Sequence, residues 1–531
     1  MNHIPQLGWW VAAGIATFVC AALAALLWQA PSLNLQLIWQ DAYYWHVTKF
    51  SFYQALCSTL LSVGLAIPVA HAFSQRRFPG RDLLLKLFAM TLVLPVLVVI
   101  FGLLAIYGNS GWLAQSLHRF GLSLPFSIYG LNGILLAHVL FNLPYASRLL
   151  LQSLEAIPSE QHKLCAHLGM SRWQKFKLIE WLRMRQQLPH VAGLVFMLCF
   201  TSFTTVMALG GGPQATTIEL AIYQAIKFDF DLHIGALLAI WQMLLCTLFT
   251  LGVQRLAPAR PFSRVSSQVA HRWLRDSWRA KLWDAGWIIA ISALVLPPLL
   301  MVLLAGINAK LASVLTSRAF WSALLNSVQV ASLASSLALA SGIAMLLTSR
   351  ALRLKAAHRR AGGIEWVASL ILVTPGLVVS TGLFLLLRNI TDVFSVAFWI
   401  VVAVNGLMAL PYVVKTLSQP MWHLAQQYQW LCASLGLSGW RRFRLVEWRA
   451  LRKPISHTFA IGFLLSMGDL SAIALFGSQD FRTLPLYLYQ LLGSYQMDTA
   501  AVVALAMLLI SVGWFYLLER LLTQRQRGES C

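Results

Sequence analysis

Apolar residues run in stretches of about twenty along the whole chain. The first lies between Trp9 and Trp28, and others centre on 55–74, 84–107, 130–150, 190–209 and 233–253. After a polar, basic stretch from Arg255 to Lys281, six more follow, at 286–306, 323–347, 364–387, 394–416, 455–476 and 499–518. A run of ~18 or more apolar residues is long enough for a helix to cross the hydrocarbon core of a bilayer. The pattern therefore predicts an all-α polytopic membrane protein with twelve transmembrane helices. Several runs contain Pro (Pro68, Pro95, Pro375), which membrane helices tolerate. The first run is long for a signal-peptide core, and residues 1–8 carry no Lys or Arg, so it is expected to be retained.

Composition narrows the class. Only 11% of the 531 residues are charged and 58% are hydrophobic, against about 25% charged in soluble domains. The 40 Lys and Arg against 18 Asp and Glu give a net charge of +22. Such an excess can mark a nucleic-acid binder, but its placement argues otherwise. One alternate set of connections holds seven basic residues (Lys49, Arg119, Lys227, Lys310, Arg318, Arg388, Arg482), and the other 33 lie in the opposite set or at its helix ends. Positive charge is retained on the cytoplasmic side, so both termini are expected in the cytoplasm, lipid is the surrounding partner, and no nucleic acid is needed. The seven Cys show no metal-ligand spacing, and neither metal nor disulfide is expected.

The chain repeats itself. Pro95-x-x-Val98-Val99-x-x-Gly102-Leu103 returns as Pro375-x-x-Val378-Val379-x-x-Gly382-Leu383, and Leu143-Pro144-Tyr145 as Leu410-Pro411-Tyr412. From Leu164 to Trp181, 11 of 18 positions are identical to Leu431–Trp448 at an offset of 267. Both copies sit between an even and an odd span, which gives two parallel repeated halves with the natural site at their interface. The expected division is 1–50 for the first span and its connection, 51–255 for the first half, and 256–285 for a cytoplasmic linker. It continues with 286–320 for the seventh span, 321–520 for the second half and 521–531 for a cytoplasmic tail.

The most similar segments, about Gln152–Pro189 and Gln419–Pro454, lie outside the spans and are far longer than a connection requires. Each reads as two short helices around a Gly. Gly169 and Gly436 suit a helix end with positive φ, and Ser171 suits the cap of the helix that follows. Trp173, Phe176 and Ile179 are interleaved with basic residues, which would also fit an amphipathic helix lying on anionic lipid. That alternative explains neither the Gly nor the duplication.

These segments resemble the helix-Gly-helix loop of ABC importer permeases, with Gly169 and Gly436 at the motif Gly and Pro189 and Pro454 near its trailing Pro. The loop departs from the family's Glu-Ala-Ala, holding Lys163-Leu164-Cys165 and Trp430-Leu431-Cys432 instead. Gly210–Gln224 and Asp480–Gln490 are similar to the corresponding segments of bacterial thiamine importer permeases. The resemblance implies a type I ABC importer permease fold in the bacterial inner membrane. It implies a cytoplasmic ATPase dimer that receives the two loops through Gly169, Gly436, Cys165, Cys432, Ser171, Ser438, Trp173 and Trp440. It also implies a periplasmic thiamine-binding protein docking on 210–231 and 477–497, with Gln214, Glu219 and Arg482 as docking residues, and thiamine as cargo. The chain has no Gly-Lys dipeptide, hence no phosphate loop. It is not expected to be an enzyme or to hold a cofactor, and ATP and Mg would belong to the partner. An ion-coupled carrier, or the same importer class moving ferric iron, sulfate or a polyamine, is the alternative. In the spans, Asp469 and its repeat-mate Ser202 are candidates for the cargo path; Asp469 capping a broken helix, or pairing with a basic residue of a neighbouring span, is the competing reading. Asn142, Asn326 and Asn405 are expected to hydrogen-bond between helices.

Overall fold

The computed structural model describes residues 6–29, 35–91, 93–256, 277–371, 374–388, 390–437 and 439–527, and among these there are helices and no strands. Each apolar run is helical. Ten helices among the described residues are long and apolar enough to cross a membrane, or eleven when the bent pair Arg172–Phe200 and Phe203–Leu209, kinked by 51°, counts as one span. The expected number of twelve is thus approximate, and the shortfall has a local cause. The run at 364–387 is split into His358–Leu370 and Gly376–Arg388, each short of the ~20 residues a span needs. Pro375 stands at the break, where its ring and missing N–H oppose continuation of the preceding helix. Pro95 divides its counterpart into Arg81–Met90 and Val96–Tyr107.

The first helix of each half packs on the other half. Leu7–Gln29 lies against Gly376–Arg388 and Arg318–Leu354, and Trp278–Gly306 lies against Val96–Tyr107 and Ala42–Gln75. This exchange explains the Gly of the repeated Pro-x-x-Val-Val-x-x-Gly motif. A Cβ on Gly102 would stand 2.3 Å from the Pro298 carbonyl oxygen, and one on Gly382 would stand 2.3 Å from the Ala22 oxygen. Small residues let membrane helices approach backbone to backbone. Here the same Gly, used twice, admits the visiting helix in both halves.

Interhelical hydrogen bonds tie the spans together. The Asn142 amide donates to Cys199 Sγ and Asn405 to Ser466, helix to helix as expected, whereas Asn326 donates to the Arg482 carbonyl on the loop that precedes Leu484–Gly493. Ser51 and Ser327 occupy matching places. Ser51 Oγ accepts from the Ile218 N–H at 3.0 Å and Ser327 Oγ from the Leu484 N–H at 2.7 Å. Each fastens the start of a short helix, Ile218–Lys227 or Leu484–Gly493, to a long span.

Candidate functional site

At the end of the bundle that carries the basic loops, each half presents the helix-Gly-helix segment. In the first half Pro158 starts a separate helix, Ser159–His167. In the second half Ala425 takes the place of Pro158, so Ala397–Ser434 runs unbroken up to Gly436. Gly169 and Gly436 adopt φ of +62° and +63°. The turn closes as a helix C-cap does, with the Met170 N–H donating to the Cys165 carbonyl at 3.0 Å and the Leu437 N–H to the Cys432 carbonyl at 2.8 Å. Nothing lies within 4 Å of a Cβ placed on either Gly. Backbone conformation, not crowding, selects Gly here. Ser171 Oγ accepts from the Gln174 N–H, and Gln174 Oε1 accepts from the Ser171 N–H at 2.7 Å, a complete capping box. Ser438 and the side chain of Trp440 lie outside the described residues.

The second helix does not end after one turn. A π-turn, Phe176–Glu180 or Phe443–Glu447, carries it into the following span in each half. Such turns often mark functional sites. Each π-turn ends on a buried carboxylate whose importance the sequence reading missed, although both Glu recur at the repeat offset in an otherwise basic segment. Glu180, 2% exposed, meets Lys175 Nζ at 2.9 Å, His71 Nε2 at 3.1 Å and the Gln75 amide at 2.9 Å. Glu447, 1% exposed, meets Arg350 at 2.9 Å and Arg442 at 2.8 Å. His71 and Gln75 sit near the end of Ala42–Gln75, and Arg350 near the end of Arg318–Leu354, so each carboxylate clamps its loop to a long span. The first loop has a second anchor: Arg76 and Arg172 both reach the fully buried Asp284, each at 2.5 Å. Asp284 belongs to Trp278–Gly306, the first helix of the other half.

Trp173 is 69% exposed, and Leu164, Leu168, Leu431, Leu435 and Leu445 are also exposed around the two Gly turns. Large apolar side chains exposed in such number around one turn mark an interaction site. Cys165 and Cys432, grouped with the contact residues from sequence, are buried and face inward. Burial pushes the Cys165 thiol above its ordinary range, which makes it a packing residue and a poor nucleophile.

At the opposite end, Gln214 is exposed and its carbonyl accepts from His46 Nε2 at 3.0 Å. The Arg482 guanidinium lies over the Tyr487 ring, 4.8 Å from its centre. Glu219 is only 3% exposed, which removes it from a surface open to a docking protein. Ile218–Lys227 turns it inward because the apolar residues of this short helix surround it on the buried face. Instead its helix packs on Gly376–Arg388, on which Ser471–Phe476, the helix that Asp469 precedes, also packs, so the structure brings to one host helix two elements that sequence reading placed in different sites. Asp469 lies at the break between Trp448–Gly468 and Ser471–Phe476, and its carboxylate accepts from Ser471 Oγ at 2.8 Å and the Ala472 N–H at 3.2 Å. It caps the second piece of a broken span, as the competing reading held. Its counterpart Ser202 stands at the matching kink and hydrogen-bonds His138 Nε2 at 2.8 Å, while Ser58 holds Nδ1 at 2.9 Å.

Comparison with known proteins fits a permease with this duplicated architecture. Residues 62–260 and 357–528 match the family described as binding-protein-dependent transport system inner membrane component. Over 523 residues, 97% of both chains, the sequence is 47% identical to the thiamine transport system permease protein ThiP of Escherichia coli K12. It is 48% identical to that of Salmonella typhimurium over 510 residues, covering 96% of this chain and 95% of the other. It is 42% identical to that of Haemophilus influenzae over 518 residues, 96% of both. With both halves matched and its relatives spanned from end to end, the chain belongs to the binding-protein-dependent transport system inner membrane component family, as a multi-pass transport subunit.

Proposed function

We propose that this protein is the permease of an ATP-driven importer that moves thiamine, and with it the thiamine phosphates, across the bacterial inner membrane into the cytoplasm. A periplasmic thiamine-binding protein delivers the cargo to the end formed by 210–231 and 477–497. A homodimeric cytoplasmic ATPase, which holds the ATP and Mg, receives the two helix-Gly-helix loops, and both termini lie on its side. The observation that carries the reading is the pair of loops with exposed apolar faces, each clamped through a buried Glu to a long span, in a chain related along its full length to thiamine permeases. A motion of such a loop is passed to the span because breaking a buried ion pair costs about 3–5 kcal/mol.

Reconstitution tests it. Proteoliposomes holding the permease with its ATPase, supplied with binding protein and ATP, should accumulate labelled thiamine and should not do so without ATP. Uptake that persists without the ATPase would replace this mechanism with an ion-coupled one, and ATP-dependent uptake of another solute but not thiamine would replace the cargo.

A further inference from the structure

The two halves can be laid on each other residue by residue, and at one buried junction they disagree. Thr217, Tyr223 and Gln224 match Thr483, Tyr489 and Gln490, which pairs Glu219 with Pro485. Counting from the positive-φ residue before each last span, Phe230 (φ 54°) and Tyr495 (φ 58°), Gln242 pairs with Met507. The repeated Pro motif pairs Ser380 with Ile100 and Thr381 with Phe101, and Asp469 pairs with Ser202. On one side the junction is built from Glu219, Gln242, Ser380, Thr381 and Asp469. On the other it is built from Pro485, Met507, Ile100, Phe101 and Ser202. At four of these five places the second copy carries an apolar residue, so the fold does not require a polar group at them, and the fifth, Ser202, is held by His138.

Three of these polar groups, Gln242, Ser380 and Thr381, are also unused by the protein, while Asp469 caps the helix that follows it. Gln242 is fully buried, and neither its amide nitrogen nor its oxygen has a hydrogen-bond partner. The hydroxyls of Ser380 and Thr381 are likewise fully buried and unpartnered. Leaving a buried polar group unpaired is destabilising, which argues that these groups serve a purpose other than the fold. The elements that carry them are packed together: Leu232–Leu256, which carries Gln242, lies against Ile218–Lys227 and Gly376–Arg388, and Ser471–Phe476 lies against Gly376–Arg388. Lys227 Nζ donates to the Leu475 carbonyl at 3.3 Å, which pins the first-half helix onto the second-half one.

We infer that Glu219, Gln242 and Asp469 form a one-sided binding site at the interface of the halves for an organic monocation that also bears a donor–acceptor edge. The inference rests on the thiamine reading above and deepens it. The carboxylates from the two halves face the fixed positive charge of a thiazolium. The Gln242 amide, with one donor side and one acceptor oxygen, matches an aminopyrimidine edge in the way Gln pairs with adenine. Gln242 lies ten residues into its span, about 15 Å along the helix, at the depth where a cargo in transit has lost its water.

Equilibrium binding of labelled thiamine to the purified permease–ATPase complex, without the binding protein, tests the site. Gln242→Met installs the residue that the second copy carries, and Glu219→Gln preserves volume. The parent should bind thiamine, and each substitution should weaken binding about tenfold or more, the equivalent of one hydrogen bond to a charged group. Gln242→Met should also erase the preference for thiamine over the derivative whose pyrimidine amino group is replaced by a carbonyl. Parental affinity in both folded variants overturns the site, as does a parent that imports thiamine with binding protein but binds none alone. If Gln242→Met does not fold, Glu219→Gln decides by its affinity. Failure of both to fold assigns these groups to structure and overturns the site. A parent that neither binds nor imports thiamine defeats the cargo reading itself, and this site with it.

Discussion

Gly169 and Gly436 combine positive φ with open space where a Cβ would point, so substitutions there isolate backbone conformation. A β-branched residue in this region is a steric outlier, whereas Asn enters it at small cost. Gly169→Val and Gly436→Val should leave the membrane domain folded and uncouple ATP hydrolysis from uptake, and the Asn variants should restore coupling. Parallel assays of uptake and hydrolysis check this, and equal behaviour of Val and Asn would refute the conformational role. Glu180 and Glu447 act differently. Glu180→Ala strands Lys175, and Glu447→Ala strands Arg350 and Arg442. Removing one partner of a buried pair costs about 3–5 kcal/mol, so a lower Tm of the purified chain should accompany lost uptake. The Gly and the Ser171 cap were legible from sequence because each acts on its own few residues. The Asp284 anchor was not, since it joins positions 208 and 112 residues apart and no local pattern records such a pairing.

Hydrophobic run length identified the helices well but gave no account of where they break or what they touch. The breaks at Pro95 and Pro375 keep the apolar character on both sides, so a run reads as one span although the backbone makes two pieces. The second loop shows the reverse: with Ala425 in place of Pro158, the first of the two short helices expected around Gly436 is the end of a 38-residue one. The contact between visiting helix and host is equally invisible until the structure places Gly102 under Pro298 and Gly382 under Ala22. Gly102→Ala and Gly382→Ala should each destabilise the chain by about 1–3 kcal/mol, the usual cost of overpacking. Gly14→Ala, on the Leu7–Gln29 helix but with nothing within 4 Å of the new methyl, should be neutral. Thermal unfolding in detergent compares the three, and a neutral Gly382→Ala would mean the helices separate at no cost.

As a whole the molecule is two similar halves that each complete the other. Because Leu7–Gln29 packs on the second half and Trp278–Gly306 on the first, neither half buries its own apolar surface alone. Cutting the gene between residues 257 and 276 and co-expressing the pieces should therefore yield halves that co-purify and import. Either piece expressed alone should be degraded or aggregate, and a stable, monodisperse single half would contradict the exchange. The two loops, identical at 11 of 18 positions, are also tethered to unequal loads. The second is held by Arg350 and Arg442 within its own half, while the first is bolted through Arg76 and Arg172 to Asp284 on the visiting helix of the other. In the proposed complex, a symmetric ATPase gripping both loops would pull on two different linkages. A stroke at the first is shared at once between the halves, and a stroke at the second is spent in one of them. Disabling one ATP site at a time in a tethered ATPase dimer should then give two different residual import rates, so that this machine has a leading hand and a following one.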